Sequence, residues 1–179
     1  TAIFMPQRVE RLVALSVGHP SAFGAPNPEQ RERSSYMQLF RQEGVAEDVL
    51  TRDDWAMFRA MVGHPDVAAV VGDLERDRSL TPGLNWYRAN LPPGSCAAGD
   101  GHESAGEGAA PGLELGPVEA PTMGVWSSED FALTERQMVE SAAYVKGAWR
   151  YERIEGAGHW LMLDRPDEVN GLLLDFLSG

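Results

Sequence analysis

Three short apolar runs, separated by long stretches of other sequence, constrain the fold of this chain most. They are 9–17 (VERLVALSV), 122–127 (TMGVWS) and 149–155 (WRYERIE). The first two are rich in aliphatic side chains and bounded by turn residues, and the third alternates apolar with polar residues. These are the patterns of strands, so the sequence predicts three of them.

The second and third strands are each followed by a helical pattern. Thr134 and Gln137 have the spacing of a capping box, which predicts a helix that opens there and runs to about Val145. Pro166 suits the first turn of a last helix, whose apolar residues recur at helical spacing. Strands that alternate with helices in this way form a parallel sheet, so the predicted fold class is α/β.

A helical block and a glycine-rich segment separate the first strand from the second. From about residue 28 to residue 91, apolar residues recur every three or four positions. Residues 94–112 contain too little apolar surface to offset the entropy of ordering the chain. We therefore predict four regions: a core strand with the end of a preceding helix (1–19), a helical domain (20–93), a flexible loop (94–116) and a C-terminal α/β core (117–179).

Composition argues against several classes of function. The formal net charge is −12 over 179 residues, whereas nucleic-acid and anionic-membrane partners need basic patches. Cys96 is the single cysteine, so the chain can form neither an internal disulfide nor a cysteine metal cluster, which suits a cytoplasmic protein. No apolar run reaches the roughly 18 residues of a membrane span. We expect a cytoplasmic protein without a membrane partner.

Asp130 and His159 are the first candidate catalytic residues. Asp130 follows the second strand, and His159 follows the third in a turn that contains Gly156 and Gly158. Function in open parallel sheets gathers in the loops at the carboxyl ends of the strands. An imidazole that acts as a base needs a carboxylate to fix its tautomer and stabilise its protonated form. From spacing alone, a purely structural role for His159 is an equally good interpretation.

The sequences around these two residues resemble the C-terminal half of an α/β-hydrolase. The resemblance lies in 120–133 (APTMGVWSSEDFAL) and 156–177 (GAGHWLMLDRPDEVNGLLLDFL). In that family the catalytic acid and histidine occupy the places of Asp130 and His159. The resemblance implies that the helical block is an inserted all-helical cap. Ser127 departs from the glycine that many relatives have in this loop.

Two segments of the helical block, 36–47 (YMQLFRQEGVAE) and 84–91 (LNWYRANL), resemble cap segments of epoxide hydrolases. The resemblance implies that Tyr36 and Tyr87 are the two tyrosines that face the nucleophile. Two phenol O–H groups suit epoxide opening, because they stabilise the charge that develops on the ring oxygen and one can deliver a proton. The alternative is that both are buried aromatic residues whose hydroxyl groups have structural partners.

The resemblance also implies the reaction, which is hydrolysis of an epoxide to a vicinal diol without a metal or organic cofactor. A carboxylate nucleophile forms an ester with the substrate, and His159, oriented by Asp130, activates the water that hydrolyses it. The G-x-D-x-G or G-x-S-x-G motif that carries the nucleophile in this family is absent from the 179 residues. We therefore expect the nucleophile in a missing N-terminal half of the same fold, and expect the chain alone to be inactive.

Other residues and functions stay open. Trp126 and Trp160 flank the candidate loops and either wall an apolar substrate pocket or pack in the core. A structural turn is the better interpretation of His19, and Cys96 and His102 show no chemistry. The alternative functions are another α/β-hydrolase, such as a haloalkane dehalogenase or an esterase, and an inactive truncated product. An aspartate nucleophile would favour epoxide or haloalkane chemistry, and a serine would favour ester chemistry.

Overall fold

The chain forms two compact units. The computed structural model describes residues 1–24, 27–90 and 115–179. One unit contains residues 1–30 and 115–179, and the other contains residues 31–90. The first unit holds the strands, and the second is helical.

A three-stranded parallel sheet lies at the centre of the first unit. Its strands are β1 (Leu12–Leu15), β2 (Thr122–Ser127) and β3 (Trp149–Ile154), in the order β1-β2-β3. All six residues of the central strand are buried, as in a strand covered on both faces. The three predicted parallel strands are confirmed. However, β1 is shorter than the predicted 9–17. It ends before Ser16, whose φ of +62° is left-handed and cannot continue a strand. It begins only at Leu12, because Val9 caps a preceding 3-10 turn, Pro6–Arg8.

The helices are spread over both units. In chain order they are α1 (Pro20–Phe23), α2 (Pro28–Arg33), α3 (Tyr36–Phe40), α4 (Val45–Val62), α5 (Val67–Asp77), α6 (Leu80–Asn90), α7 (Glu135–Glu140), α8 (Leu161–Asp164) and α9 (Pro166–Ser178). Within the described ranges, no helix has the length and apolar character needed to cross a membrane.

The last helix closes the core of the first unit. Pro166 is at its first turn, as predicted, because proline needs no hydrogen-bond acceptor there. Val169 and Phe176, seven residues apart and so on one face of α9, belong to the same buried cluster as Met123 and Val125 of β2. This packing fixes the sheet whose strand ends carry the candidate site.

The predicted capping box at Thr134 is wrong, although a helix does begin there. Thr134 is the N-cap of α7, but its side chain makes no capping hydrogen bond. Its Oγ1 instead donates to Oε1 of Gln30 and accepts from Nδ2 of Asn27. The side-chain amide of Gln137 also makes its hydrogen bonds elsewhere, to the backbone of the turn after β1. Tertiary partners have therefore replaced the local bonds, and the α-helix ends at Glu140, followed by a 3-10 turn.

The second unit has its own small core. Ala46 and Leu50 of α4 and Leu84 of α6 are buried together, with Phe40 and Phe58 packed against them. This unit corresponds to the predicted helical domain over residues 31–90, whereas residues 20–30 group with the sheet. Its role as a cap, and the other predicted domain boundaries, stay predictions. Most of the predicted loop, with Cys96 and His102, lies outside the described residues.

Candidate active site

Asp130 and His159 form a hydrogen-bonded pair at the carboxyl ends of β2 and β3. Nδ1 of His159 lies 3.0 Å from Oδ2 and 3.1 Å from Oδ1 of Asp130. The Asp130 side chain is completely buried, whereas that of His159 is 26% exposed. The carboxylate thus fixes one ring nitrogen, and the other, Nε2, is the nitrogen that can serve as a base towards water or substrate.

The loop after β2 holds the Asp130 carboxylate in one orientation. Oδ1 accepts hydrogen bonds from the backbone N–H groups of Ala132, at 2.8 Å, and Leu133, at 2.9 Å. The Ala132 carbonyl accepts from Nε2 of Gln30, which ties the loop to the start of α2. An ionised carboxylate is purely an acceptor, so two N–H donors and one imidazole suit it. The orientation of the Asp130 carboxylate is therefore fixed by its own loop.

The His159 turn needs its glycines. Gly156 has a φ of +66°, a conformation that residues with a Cβ rarely adopt. The Gly158 N–H donates to Oδ2 of Asp164 at 2.8 Å, and a Cβ on Gly158 would lie 3.3 Å from that oxygen. The turn is thus bound to α8. It places His159 five positions after the last residue of β3.

Tyr36 and Tyr87 form a second pair, inside the helical unit. Their rings are 6.4 Å apart in an edge-to-face arrangement, and their hydroxyl groups are hydrogen-bonded. Phe40 contacts both rings edge-on, with centroid distances of 5.1 Å to Tyr36 and 5.0 Å to Tyr87. Trp86, which is 62% exposed, lies 5.2 Å from the Tyr87 ring. Two phenols from separate helices are therefore held side by side by aromatic packing.

Burial raises the pKa of the Tyr87 phenol above its ordinary value, and a hydrogen bond from Tyr36 offsets part of that rise. A raised phenol pKa keeps the proton on Tyr87 well above neutral pH. Tyr87 is therefore a hydrogen-bond donor under physiological conditions, which is the form required to stabilise a developing alkoxide.

Several known proteins that are similar to this chain are epoxide hydrolases. Epoxide hydrolase 3 of Xenopus tropicalis is 30% identical over 187 residues, covering 95% of this chain and 46% of that protein. Epoxide hydrolase A of Mycobacterium tuberculosis is 29% identical, covering 96% of this chain and 62% of that protein. The crystal structure of Bacillus megaterium epoxide hydrolase with an inhibitor aligns with a TM-score of 0.77 at 25% identity. This chain is therefore similar to epoxide hydrolases over nearly all of its length and has the fold of the corresponding part of an α/β-hydrolase.

The match to these epoxide hydrolases covers nearly all of this chain but only part of each relative. The chain spans about half the length of the curated relatives it matches. The Bacillus megaterium alignment covers 99% of this chain and 64% of that chain. No family model matches the sequence.

The two tryptophans next to the loops of Asp130 and His159 differ in exposure. Trp126 is only 5% exposed, and its Nε1 donates to the Leu133 carbonyl at 3.0 Å, in the loop that carries Asp130. Trp160 is partly exposed, and its ring lies 5.3 Å from the His159 ring. Trp126 thus supports the acid loop from inside, and a pocket role for either tryptophan stays a prediction.

His19 has structural contacts. Its Nδ1 accepts from the Ser21 N–H at the start of α1, and its ring stacks on Tyr144 at 4.7 Å. It is 6% exposed, and burial lowers its pKa, which favours the neutral ring that can accept this bond. The interpretation of His19 as part of a structural turn agrees with these contacts.

The sequence predicts the members of both pairs but not two of the residues that contact them. Phe40, which packs on both tyrosines, lies four residues after Tyr36 and therefore on the same helix face. That spacing was the available signal. Ser16, which contacts the His159 backbone, carried no comparable signal because its contact is 143 residues away along the chain.

Proposed function

We propose that this chain supplies the general base, the orienting acid and the two phenols of an epoxide hydrolase. In the first step an aspartate carboxylate attacks an epoxide carbon, the C–O ring bond breaks, and Tyr36 and Tyr87 donate hydrogen bonds to the ring oxygen, which takes the proton of one of the two phenols. In the second step Nε2 of His159 takes a proton from water, and the resulting hydroxide attacks the ester carbonyl. The acyl–oxygen bond breaks, the departing oxygen takes the proton of the added hydroxyl group, and the protonated His159 returns its proton to the phenolate. The products are a vicinal diol and the free carboxylate.

The observation that carries the epoxide assignment is the hydrogen-bonded pair of Tyr36 and Tyr87. A general base with its acid suits ester, haloalkane and epoxide hydrolysis alike, so Asp130 and His159 do not discriminate among them. Epoxide opening differs because the leaving oxygen stays in the product and must be protonated. Two adjacent phenols, one with a raised pKa, are suited to that oxygen.

The attacking carboxylate is proposed to come from a segment outside these 179 residues. Neither G-x-D-x-G nor G-x-S-x-G occurs in the sequence. Asp130 cannot take this role as well, because its oxygens are bound to His159 and to two backbone N–H groups. We accordingly expect no turnover from the chain alone. Its single cysteine fits the proposed cytoplasmic setting.

The first test asks which polypeptide accompanies the chain. The chain is purified from its source under native conditions and its mass is measured both natively and after denaturation. The proposal predicts a second component, or a longer covalent form, that contains a G-x-D-x-G elbow. A nucleophile elbow with serine at its centre would instead favour an esterase, and the epoxide assignment would fall.

The second test uses that nucleophile-containing form. We expect it to convert an aryl epoxide to the diol, and expect Tyr36→Phe combined with Tyr87→Phe to lower the rate by at least about 100-fold. His159→Gln should permit the first step only, so the nucleophile-bearing polypeptide should gain the mass of one epoxide. Unchanged diol formation by the double tyrosine variant would rule out the proposal. A 4-nitrophenyl ester serves as the control substrate.

A further inference from the structure

Ser16 has an uncommon backbone conformation next to the proposed base. It follows the last residue of β1, is 4% exposed and has a φ of +62°. The Val17 N–H bonds the Leu15 carbonyl at 2.7 Å, so Ser16 is the middle residue of a three-residue turn. A serine in the left-handed region costs free energy, and such residues persist only where surrounding contacts hold them.

Gln137 supplies the contacts that hold this turn. Its Nε2 donates to the Ser16 carbonyl at 2.8 Å, and its Oε1 accepts from the Gly18 N–H at 2.8 Å. Gln137 is 1% exposed, so both bonds are shielded from water. The Ser16 N–H donates in turn to the Val125 carbonyl of β2. The turn is therefore bound on three sides.

The consequence of this geometry is the direction of the Ser16 hydroxyl. Its Oγ donates to the backbone carbonyl of His159 at 3.0 Å. Ser127, the last residue of β2, donates from its Oγ to the carbonyl of Gly158 at 2.7 Å. Two hydroxyl groups from the ends of adjacent strands thus hold consecutive carbonyls of the turn that carries the imidazole.

We infer that Ser16 is a positioning residue for His159, acting through the bond from its hydroxyl to the His159 carbonyl. The inference rests on the proposed role of His159 as the base. Asp130 binds the ring at Nδ1, and Phe131 and Trp160 pack against it edge-on, but none of these contacts fixes the backbone from which the imidazole projects. The bond from Ser16 to the carbonyl of the same residue holds that backbone and so helps to set the direction of Nε2.

The test measures the Nδ1 proton of His159 in the 179-residue chain, by NMR of protein labelled with ¹⁵N in histidine. Two variants remove the hydroxyl: Ser16→Ala and Ser16→Gly. Glycine accepts a positive φ without strain whereas alanine does not, so their thermal midpoints should differ. If the hydroxyl positions the ring, both variants should exchange the Nδ1 proton about fivefold faster, the effect of one lost hydrogen bond of ordinary net strength.

The control is Thr122→Val, which removes a buried hydroxyl from the opposite end of β2. Thr122 Oγ1 donates to the Ala120 carbonyl at 2.9 Å, and the residue is 2% exposed. This variant should lower the thermal midpoint and leave the exchange of the His159 proton unchanged. If the exchange rate instead depended on the stability of the fold, Ser16→Ala would exchange the His159 proton fast and Ser16→Gly would exchange it as slowly as the unaltered chain. That result would overturn the inference. Because no turnover is measured, this result is independent of the proposed epoxide chemistry.

Discussion

Asp130 is the most tightly bound side chain of the candidate site. Its carboxylate is fully buried and accepts from an imidazole and from the N–H groups of Ala132 and Leu133. Hydrogen bonds to a buried charge contribute more than neutral ones, and losing a partner leaves others unsatisfied. The residue that is proposed to orient the base is therefore also a structural residue of its loop.

This double role predicts the effect of Asp130→Asn on stability. Asparagine keeps one acceptor oxygen for the two backbone N–H groups, but its N–H₂ group then faces Nδ1 of His159 in place of Oδ2, and the negative charge is lost. We therefore expect a loss of about 1.5–3 kcal/mol in the free energy of unfolding. Urea titration of the purified chain measures it. Glu129→Gln makes the same chemical change at the adjacent exposed position and should stay within about 0.5 kcal/mol of the unaltered chain. Equal effects from both variants would contradict this account.

The contact between the two phenols predicts how the pKa of Tyr87 changes when the hydroxyl group of Tyr36 is removed. Burial raises the pKa of Tyr87, and the hydrogen bond from Tyr36 lowers it. Tyr36→Phe removes only the lowering contribution, so the pKa of Tyr87 should rise further. NMR of tyrosine labelled with ¹³C at Cζ follows this titration. Tyr151→Phe, in the other unit, is the control, and a fall in the Tyr87 pKa after Tyr36→Phe would refute the assigned direction.

At the scale of elements, an ion pair joins α4 to the helix that carries Tyr87. Glu47, in the first turn of α4, accepts from both terminal nitrogens of Arg88 on α6 at 3.0 Å, and from Thr81 Oγ1 at 3.0 Å. The side chains are 23% and 14% exposed. The Arg88 guanidinium is the main cause that lowers the pKa of Glu47 to about 2. Arg88 directly follows Tyr87, so this pair also fixes the end of α6 beside the phenol.

The pair predicts a defined dependence of stability on pH. A carboxyl group whose folded pKa is lowered stabilises the fold above its ordinary pKa, near 4.5, and loses that contribution as the pH falls towards 2. Glu47→Gln should therefore cost about 2 kcal/mol at pH 7 and progressively less below pH 4.5. Denaturant unfolding at pH 7, 4 and 2.5 tests this. Glu32→Gln, at an exposed position of α2, is the control, and a cost that does not change with pH would exclude the ion pair as its cause.

Elements differ in how far the sequence predicts them. The strand β2 is fully buried and has the bounds predicted for it, because a short, largely apolar run defines where such a strand begins and ends. Inside α4, by contrast, Asp53 and Trp55 have positive φ, and Trp55 Nε1 bonds Glu75 of α5. The recurrence of apolar residues every three or four positions predicts helix throughout this region. The spacing of apolar residues cannot show this kink, because the kink is accompanied by a contact between Trp55 and a residue twenty positions further along the chain.

On the scale of the whole molecule, the contacts that complete the candidate site come from distant parts of the chain. The pairing of Asp130 with His159 followed from the order of strands and loops. The Ser16 contact with the His159 carbonyl depends on a left-handed residue and on Gln137, 121 positions later. The order of strands and loops can thus be inferred from sequence patterns. Hydrogen bonds between single polar residues that are far apart in the chain cannot.

Net charge gives a prediction for the molecule as a whole. With a formal charge of −12 at pH 7, the chain repels itself, and salt screens that repulsion over a Debye length of about 10 Å at 0.1 M. Raising NaCl from about 0.01 M to 0.1 M should stabilise the fold by about 1 kcal/mol, or about 2–4 °C in thermal midpoint. Near the sequence pI of 4.7 the net charge vanishes, and the same addition should have little effect. A midpoint that falls with salt at pH 7 would mean that ion pairs such as Glu47 with Arg88 outweigh the net repulsion, which is the opposite balance.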